Sequence, residues 1–171
     1  MKIVIVSDSH GQTDELLKVV EEYQEADAFI HCGDSELPAD SKSIQPFVTV
    51  NGNCDWTSPF EDEKVLKKGS YKIYITHGHL YQVKTSLLSL NYKAEEKGAN
   101  IVCFGHSHLV GAEMIENRLF LNPGSLRMPR GRKERTFMVL DLEENKAVVT
   151  IMNFDQMDQP VAQYEFEFGE K

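Results

Sequence analysis

The chain has 171 residues, with 18 Lys and Arg against 27 Asp and Glu and a formal net charge of −9 at pH 7. That length sets a single domain, residues 1–171, able to bury roughly 70% of its unfolded surface, and the acidic balance disfavours duplex nucleic acid and anionic membranes as partners. Three cysteines without a Cys-x-x-Cys pair argue against a disulfide framework or a zinc ribbon. The apolar run after Met1-Lys2 is too short for a leader or a membrane span, so a cytoplasmic location is expected.

Ile3–Val6, a short β-branched run bounded by polar residues, predicts a strand buried on both faces. A helix follows, with Thr13 as its cap, Asp14 and Glu15 in the first turn, and an apolar stripe of Leu16, Leu17, Val19, Val20 and Tyr23. Ala28–Cys32 and Phe47–Val50 are further strands, ending at Gly33-Asp34 and Asn51-Gly52-Asn53. Beyond Asp55 the pattern turns antiparallel, with Lys64–Lys67, a turn at Lys68-Gly69-Ser70 and the alternating run Tyr71–Thr76. Ser86–Lys97 predicts a second amphipathic helix closed by Gly98, and Ile101–Phe104 a buried strand. Only strands come after it: Val110–Ile115, Arg118–Leu121, Thr136–Leu142, Ala147–Asn153 and Val161–Phe168. A βαβ first half and a strand-rich second half pack most economically as two facing sheets with helices outside.

The ends of these runs carry metal-ligating residue types. Asp8-Ser9-His10, Gly33-Asp34, Gly52-Asn53-Cys54-Asp55, His77-Gly78-His79 and Gly105-His106-Ser107-His108 each close a hydrophobic run, as does the ligand-free Asn122-Pro123-Gly124-Ser125. All six histidines lie in or beside this set, with His31 just before Gly33-Asp34. Asp8 and His10 are two residues apart, a strand-like spacing that puts both side chains on one side, and His106 and His108 repeat it. With Asp34, Asn53 and His77 the set reaches seven, where a single zinc needs about four. Two divalent ions sharing Asp34 follow, roughly 3.5–4 Å apart and carrying a hydroxide between them, a charge arrangement suited to an anionic phosphoester. Imidazole and oxygen ligands without thiolate favour Mn²⁺, with Ni²⁺, Fe²⁺, Co²⁺ and Zn²⁺ also suitable and Mg²⁺ less so.

Together these motifs, from Asp8 to Ser125, resemble the calcineurin-like metallophosphoesterases, and the Asn53-Cys54-Asp55 and Asn-Pro-Gly-Ser forms resemble their small YfcE-like phosphodiesterase branch. The resemblance implies an α/β fold of αββα type, a sandwich of two mixed β-sheets flanked by helices. It also implies one metal site of Asp8, His10, Asp34 and His108, and a second of Asp34, Asn53, His77 and His106. Many members carry His where Cys54 stands, and that imidazole is assigned to contact the phosphate and protonate the leaving group. Cys54, a thiol with a reference pKa of about 8.5, is a weaker donor; His79 or a metal-bound water is the alternative.

Around this set the expectations are structural. His31 is expected to brace the Asp34 loop, and Cys32 and Cys103 to fill the core. Cys54 is open between loop packing and substrate contact, and Asp55 between a hydrogen bond behind Asn53 and an ordinary turn. Glu61, Asp62 and Glu63 read as a solvated loop. The basic cluster Arg127, Arg130, Arg132, Lys133 and Arg135 reads as a solvated run, with Arg130, in a Pro-Arg-Gly context also found in the family, the candidate for bidentate phosphate binding. The expected activity is metal-dependent hydrolysis of a small or exposed phosphodiester, with Asn53, Cys54, His77 and His79 around the reaction. A phosphomonoesterase, a nuclease or a non-catalytic scaffold like the retromer subunit is the alternative. No membrane partner is expected, and a homo-oligomer is allowed. A His-x-His hydrolase on a TIM barrel is excluded, because that fold needs about 250 residues.

Overall fold

The computed structural model describes residues 1–57 and 59–169. In chain order the elements are β1 (Lys2–Val6), α1 (Thr13–Glu22), β2 (Ala28–His31), β3 (Phe47–Thr49), β4 (Glu63–Lys68), β5 (Tyr71–Thr76), α2 (Leu88–Lys97), β6 (Ile101–Cys103), β7 (Gly111–Ile115), β8 (Arg118–Asn122), β9 (Thr136–Leu142), β10 (Lys146–Asn153) and β11 (Pro160–Glu167). Single 3-10 turns at His79–Tyr81 and Phe154–Gln156 were not foreshadowed by the sequence pattern. One sheet runs β11-β10-β9-β1-β2-β3 and the other β4-β5-β6-β8-β7. Both are mixed: β1 pairs parallel with β2 and antiparallel with β9, while β6 is parallel to β5 and β8, which pair antiparallel with β4 and β7.

The two-residue period of a strand sorts the apolar residues into three layers. Ile3 and Ile5 of β1, Ile73 and Ile75 of β5, Leu119 and Leu121 of β8, and Met138 and Leu140 of β9 meet between the sheets. The alternate residues Val4 and Val6 face Leu16 and Val19 of α1, while Tyr74, Val102 and Phe120 face Leu90 and Ala94 of α2. The order of layers is therefore helix, sheet, sheet, helix. Cys32 and Cys103 are fully buried within the middle layer, as expected, and all three cysteines are free.

Several boundaries differ from the sequence pattern. Thr13 is the first helical residue of α1 rather than its cap, because Gln12 holds the extended cap conformation and no side chain caps the turn. The second helix begins at Leu88, since Ser86 instead accepts the Leu88 N–H through its hydroxyl and makes a turn. Gly98 closes it in the left-handed conformation, φ 63°, as its position suggested. Glu63 is not part of a solvated loop: it opens β4 and accepts the Tyr74 hydroxyl at 2.5 Å.

Candidate metal centre

The parallel strands deliver their C-terminal ends to one rim. Asp8 and His10 follow β1, Asp34 follows β2, Asn53 follows β3, His77 follows β5, His106 and His108 follow β6, and Asn122 ends β8. Leaving the ladder requires sharp turns. Asp8, His10, Asp34, His106 and His108 all adopt left-handed backbone, with φ from 45° to 66°, a region that L-residues seldom occupy and that marks strain kept for a purpose. This corrects the strand-like reading of the two dyads. Their side chains do converge, but through alternate left-handed residues rather than through a continuing strand.

Three imidazoles are aimed by what their Nδ1 atoms touch. His77 Nδ1 lies 2.7 Å from the Cys32 carbonyl, His108 Nδ1 2.7 Å from the Met128 carbonyl, and His10 Nδ1 2.5 Å from Glu36 Oε1. Each Nδ1 therefore carries a proton, and in the neutral imidazole each Nε2 presents a lone pair inward. The Nε2 atoms face only further acceptors. His77 Nε2 is 3.1 Å from Asn53 Oδ1, 3.4 Å from Asp34 Oδ2 and 3.9 Å from Asp8 Oδ1, while His108 Nε2 is 3.0 Å from the same Asp8 oxygen. His10 Nε2 is buried with no hydrogen-bond partner among the described residues. Lone pairs converging on lone pairs away from water are costly unless a cation lies among them. Two groups, Asp8-His10-His108 and Asp8-Asp34-His77, each bring their ligand atoms within 4.8 Å of one another. The residues thus fit divalent metal.

Each carboxylate keeps one oxygen for the centre. Asp8 Oδ2 accepts the Ser7 hydroxyl at 2.6 Å and the His106 N–H at 3.2 Å; Asp34 Oδ1 accepts the Cys54 N–H at 2.8 Å. Burial pushes both acids upward, yet the hydrogen bond and charge of His108 and the charge of His77 hold Asp8 below the usual carboxylate range. His77 and the Cys54 N–H hold Asp34 well below it. The same contacts raise His77, against its burial, and raise His108. His106, whose ring centroid is 5.1 Å from that of His77, is pushed down to about 4 by burial, the charge of His77 and that of Lys84.

The supporting contacts resolve the open expectations. His31 accepts the Gly33 N–H at Nδ1 and meets Ser9 Oγ through Nε2, bracing the Asp34 loop as expected. Asp55 is buried and accepts the N–H groups of Asp34, Glu36 and Gly52 and the Ser35 hydroxyl, so it clamps two ligand loops together. Cys54 is partly exposed, and burial and Asp34 push its thiol up to about 11. His79 opens the 3-10 turn with its ring 5.4 Å from that of His77 and its Nδ1 buried and unpartnered. The basic cluster divides: Arg135 pairs with Glu15 and Asp155, Arg127 donates to the His10 carbonyl, and the exposed Arg130 side chain lies close enough for its charge to act on His108. Ser125 donates to the Asp8 carbonyl and Asn122 to Gly105 and Ser107, which explains the Asn-Pro-Gly-Ser loop without any ligand in it. Glu36 and the brace at Ser7 had no signal in the sequence beyond lying next to ligand motifs.

An αββα sandwich with acceptor side chains gathered at one strand-end rim defines a metal-dependent hydrolase. Residues 1–145 match the calcineurin-like phosphoesterase superfamily domain, and the chain belongs to that family. It is 45% identical over 157 residues to the probable metallophosphoesterase YsnB of Bacillus subtilis, covering 91% of this chain and 92% of the relative. It is 26% identical over 171 residues to the phosphodiesterase YfcE of Escherichia coli K12, covering 82% and 88%. A solved structure of a conserved uncharacterised protein, a predicted phosphoesterase of Streptococcus pneumoniae, superposes with TM-score 0.92 at 34% identity and covers 97% of each chain. The chain is a hydrolase of phosphoester bonds.

Proposed function

We propose that this protein hydrolyses a small or exposed phosphodiester with two divalent metal ions, Mn²⁺ foremost. The observation that carries the reading is the set of imidazole Nε2 atoms and carboxylate oxygens facing one another with their other polar atoms already committed. Asp8, His10, Asp34 and His108 would hold one ion, and Asp34, Asn53, His77 and His106 the other. Bound divalent cations supply Lewis acidity toward water and neutralise phosphoryl charge. The chain itself orients the ligands through Cys32, Met128 and Glu36, keeps Asp8 and Asp34 ionised, and offers Arg130 to a non-bridging phosphate oxygen. Cys54, with its thiol held neutral, contacts the phosphate as a weak donor. A scaffold role is disfavoured, since all seven ligand positions hold competent ligand types.

The test is metal analysis beside turnover. Metal-stripped protein reloaded with Mn²⁺ should bind two ions per chain and cleave bis(p-nitrophenyl) phosphate. His77→Ala and His106→Ala should lower both stoichiometry and rate while leaving circular dichroism unchanged. A stoichiometry that stays near one, with Asp34→Asn fully active, rejects the shared centre.

A further inference from the structure

Beside the centre lies a recess that none of the ligand chemistry uses. It measures about 270 Å³ and is walled by Val83, Leu87, Phe104, Leu109, Ala112 and Phe120. An apolar cavity of about 150 Å³ already admits a benzene ring. Ser107 and Leu109, which flank His108 in the chain, both line the recess. Phe104 and Ser107 belong to the segment carrying His106 and His108, and Val83 packs so closely under Gly78 that a Cβ there would fall 2.9 Å from it. Two polar groups of the recess are already spent: Asn122 donates to Gly105 and Ser107, and the Ser107 hydroxyl also accepts the Leu109 N–H. Leu109 is nonetheless 53% exposed, an apolar surface left uncovered. Two exposed charged residues, Lys84 and Glu113, also line the recess.

We infer that this recess binds one ester substituent of the substrate, so that the substrate class is a phosphodiester bearing an aromatic or comparably bulky apolar group. The inference rests on the phosphodiesterase reading above. The anionic phosphoryl group passes Lys84 and the substituent lies against Leu87 and Leu109, covering the exposed leucine. Burial of one ring corresponds to an affinity gain on the order of tenfold.

Two diesters with the same charge and leaving group isolate this effect: benzyl p-nitrophenyl phosphate and methyl p-nitrophenyl phosphate. The parent protein should show a KM about tenfold lower for the benzyl ester. Gly111→Leu fills the recess from a position where a Cβ meets nothing within 4 Å, and Leu87→Ala removes one of the walls against which the substituent lies. Either should bring the KM ratio to about one, with thermal melts reporting that the fold is kept. A ratio near one in the parent, or one that survives both variants, overturns the inference. Calorimetry with the monomethyl esters of benzylphosphonate and methylphosphonate separates binding from turnover. Should neither diester be cleaved while benzylphosphonate is still bound more tightly, the reaction reading falls and the recess assignment stands; equal binding of the two phosphonates overturns the recess.

Discussion

Glu36 acts on the centre without facing it, because its carboxylate holds His10 Nδ1 at 2.5 Å and thereby sets which nitrogen points inward. Partners of this kind are commonly worth 10–100-fold in metal affinity. Glu36→Gln keeps an acceptor but loses the charge, so a chelator-competition titration should give metal binding about tenfold weaker, with Glu36→Ala weaker still. Unchanged affinity in both variants would leave Glu36 as a surface residue. Cys54 poses the complementary question. A thiol pushed up to about 11 is a poor proton donor to a leaving group, so rates on a series of aryl diesters should fall steeply as leaving-group pKa rises. Cys54→His should flatten that slope and raise activity on poor leaving groups. A slope identical in parent and variant would assign the proton to another group and Cys54 to the loop.

At the scale of elements, the site depends on how closely the loop after β6 approaches the end of β1. A Cβ on Gly105 would fall 2.0 Å from Ser7 Oγ and 2.6 Å from Asp8 Oδ2, the two atoms that aim Asp8. Gly105→Ala should therefore separate the His106–His108 loop from Asp8 and weaken metal binding by more than tenfold; retained affinity and an unchanged melting temperature would show that the loop yields freely. The strands were legible because period-two burial is written directly into β1, β5, β8 and β9, whose alternate residues face different layers. The ligands were legible for a related reason: His and Asp at the ends of apolar runs have few structural uses there. What was not legible is conformation at single residues. Nothing in Asp8-Ser9-His10 announces two left-handed residues, and Thr13 looks like a cap that Gln12 in fact replaces. Glu36 was hidden, and Asp55 left open between two roles, for a third reason, since a loop carboxylate reveals its partners only when Asp34, Glu36 and Gly52 are brought beside it by the fold.

For the molecule as a whole, the centre joins the two sheets and makes stability depend on pH in a defined direction. In metal-free protein the pKa values of His77 and His108 are raised above the unfolded value of about 6.5, so their contribution is complete below that pH and is lost as pH rises through the folded values. Asp8 and Asp34 are depressed, so theirs is present above about pH 4 and lost on further acidification. His106 and the buried His31, both pushed down to about 4, act in the opposite sense, their contribution being present above about pH 6.5 and lost as pH falls toward 4, so chelated protein should melt at its highest temperature near pH 6.5 and at progressively lower temperature toward pH 4 and toward pH 8.5. Added Mn²⁺ should raise the melting temperature most at the alkaline end, where ligands need not shed protons. A chelated melting temperature that climbs from pH 6 to 8.5 would contradict the assignment. The position of β1 has a further consequence, for synthesis. This strand lies between β2, which follows it closely in the chain, and β9, which begins at Thr136. Translation at about 5–20 residues per second leaves the open flank of Ile3–Val6 waiting on the order of ten seconds for its partner. During that interval the nascent chain presents an unpaired apolar strand edge, and Asp8 has emerged with no His108 to meet it. The site is therefore complete only after His108 has emerged, and the ribosome-bound chain is the state in which this strand edge is open to wrong pairing.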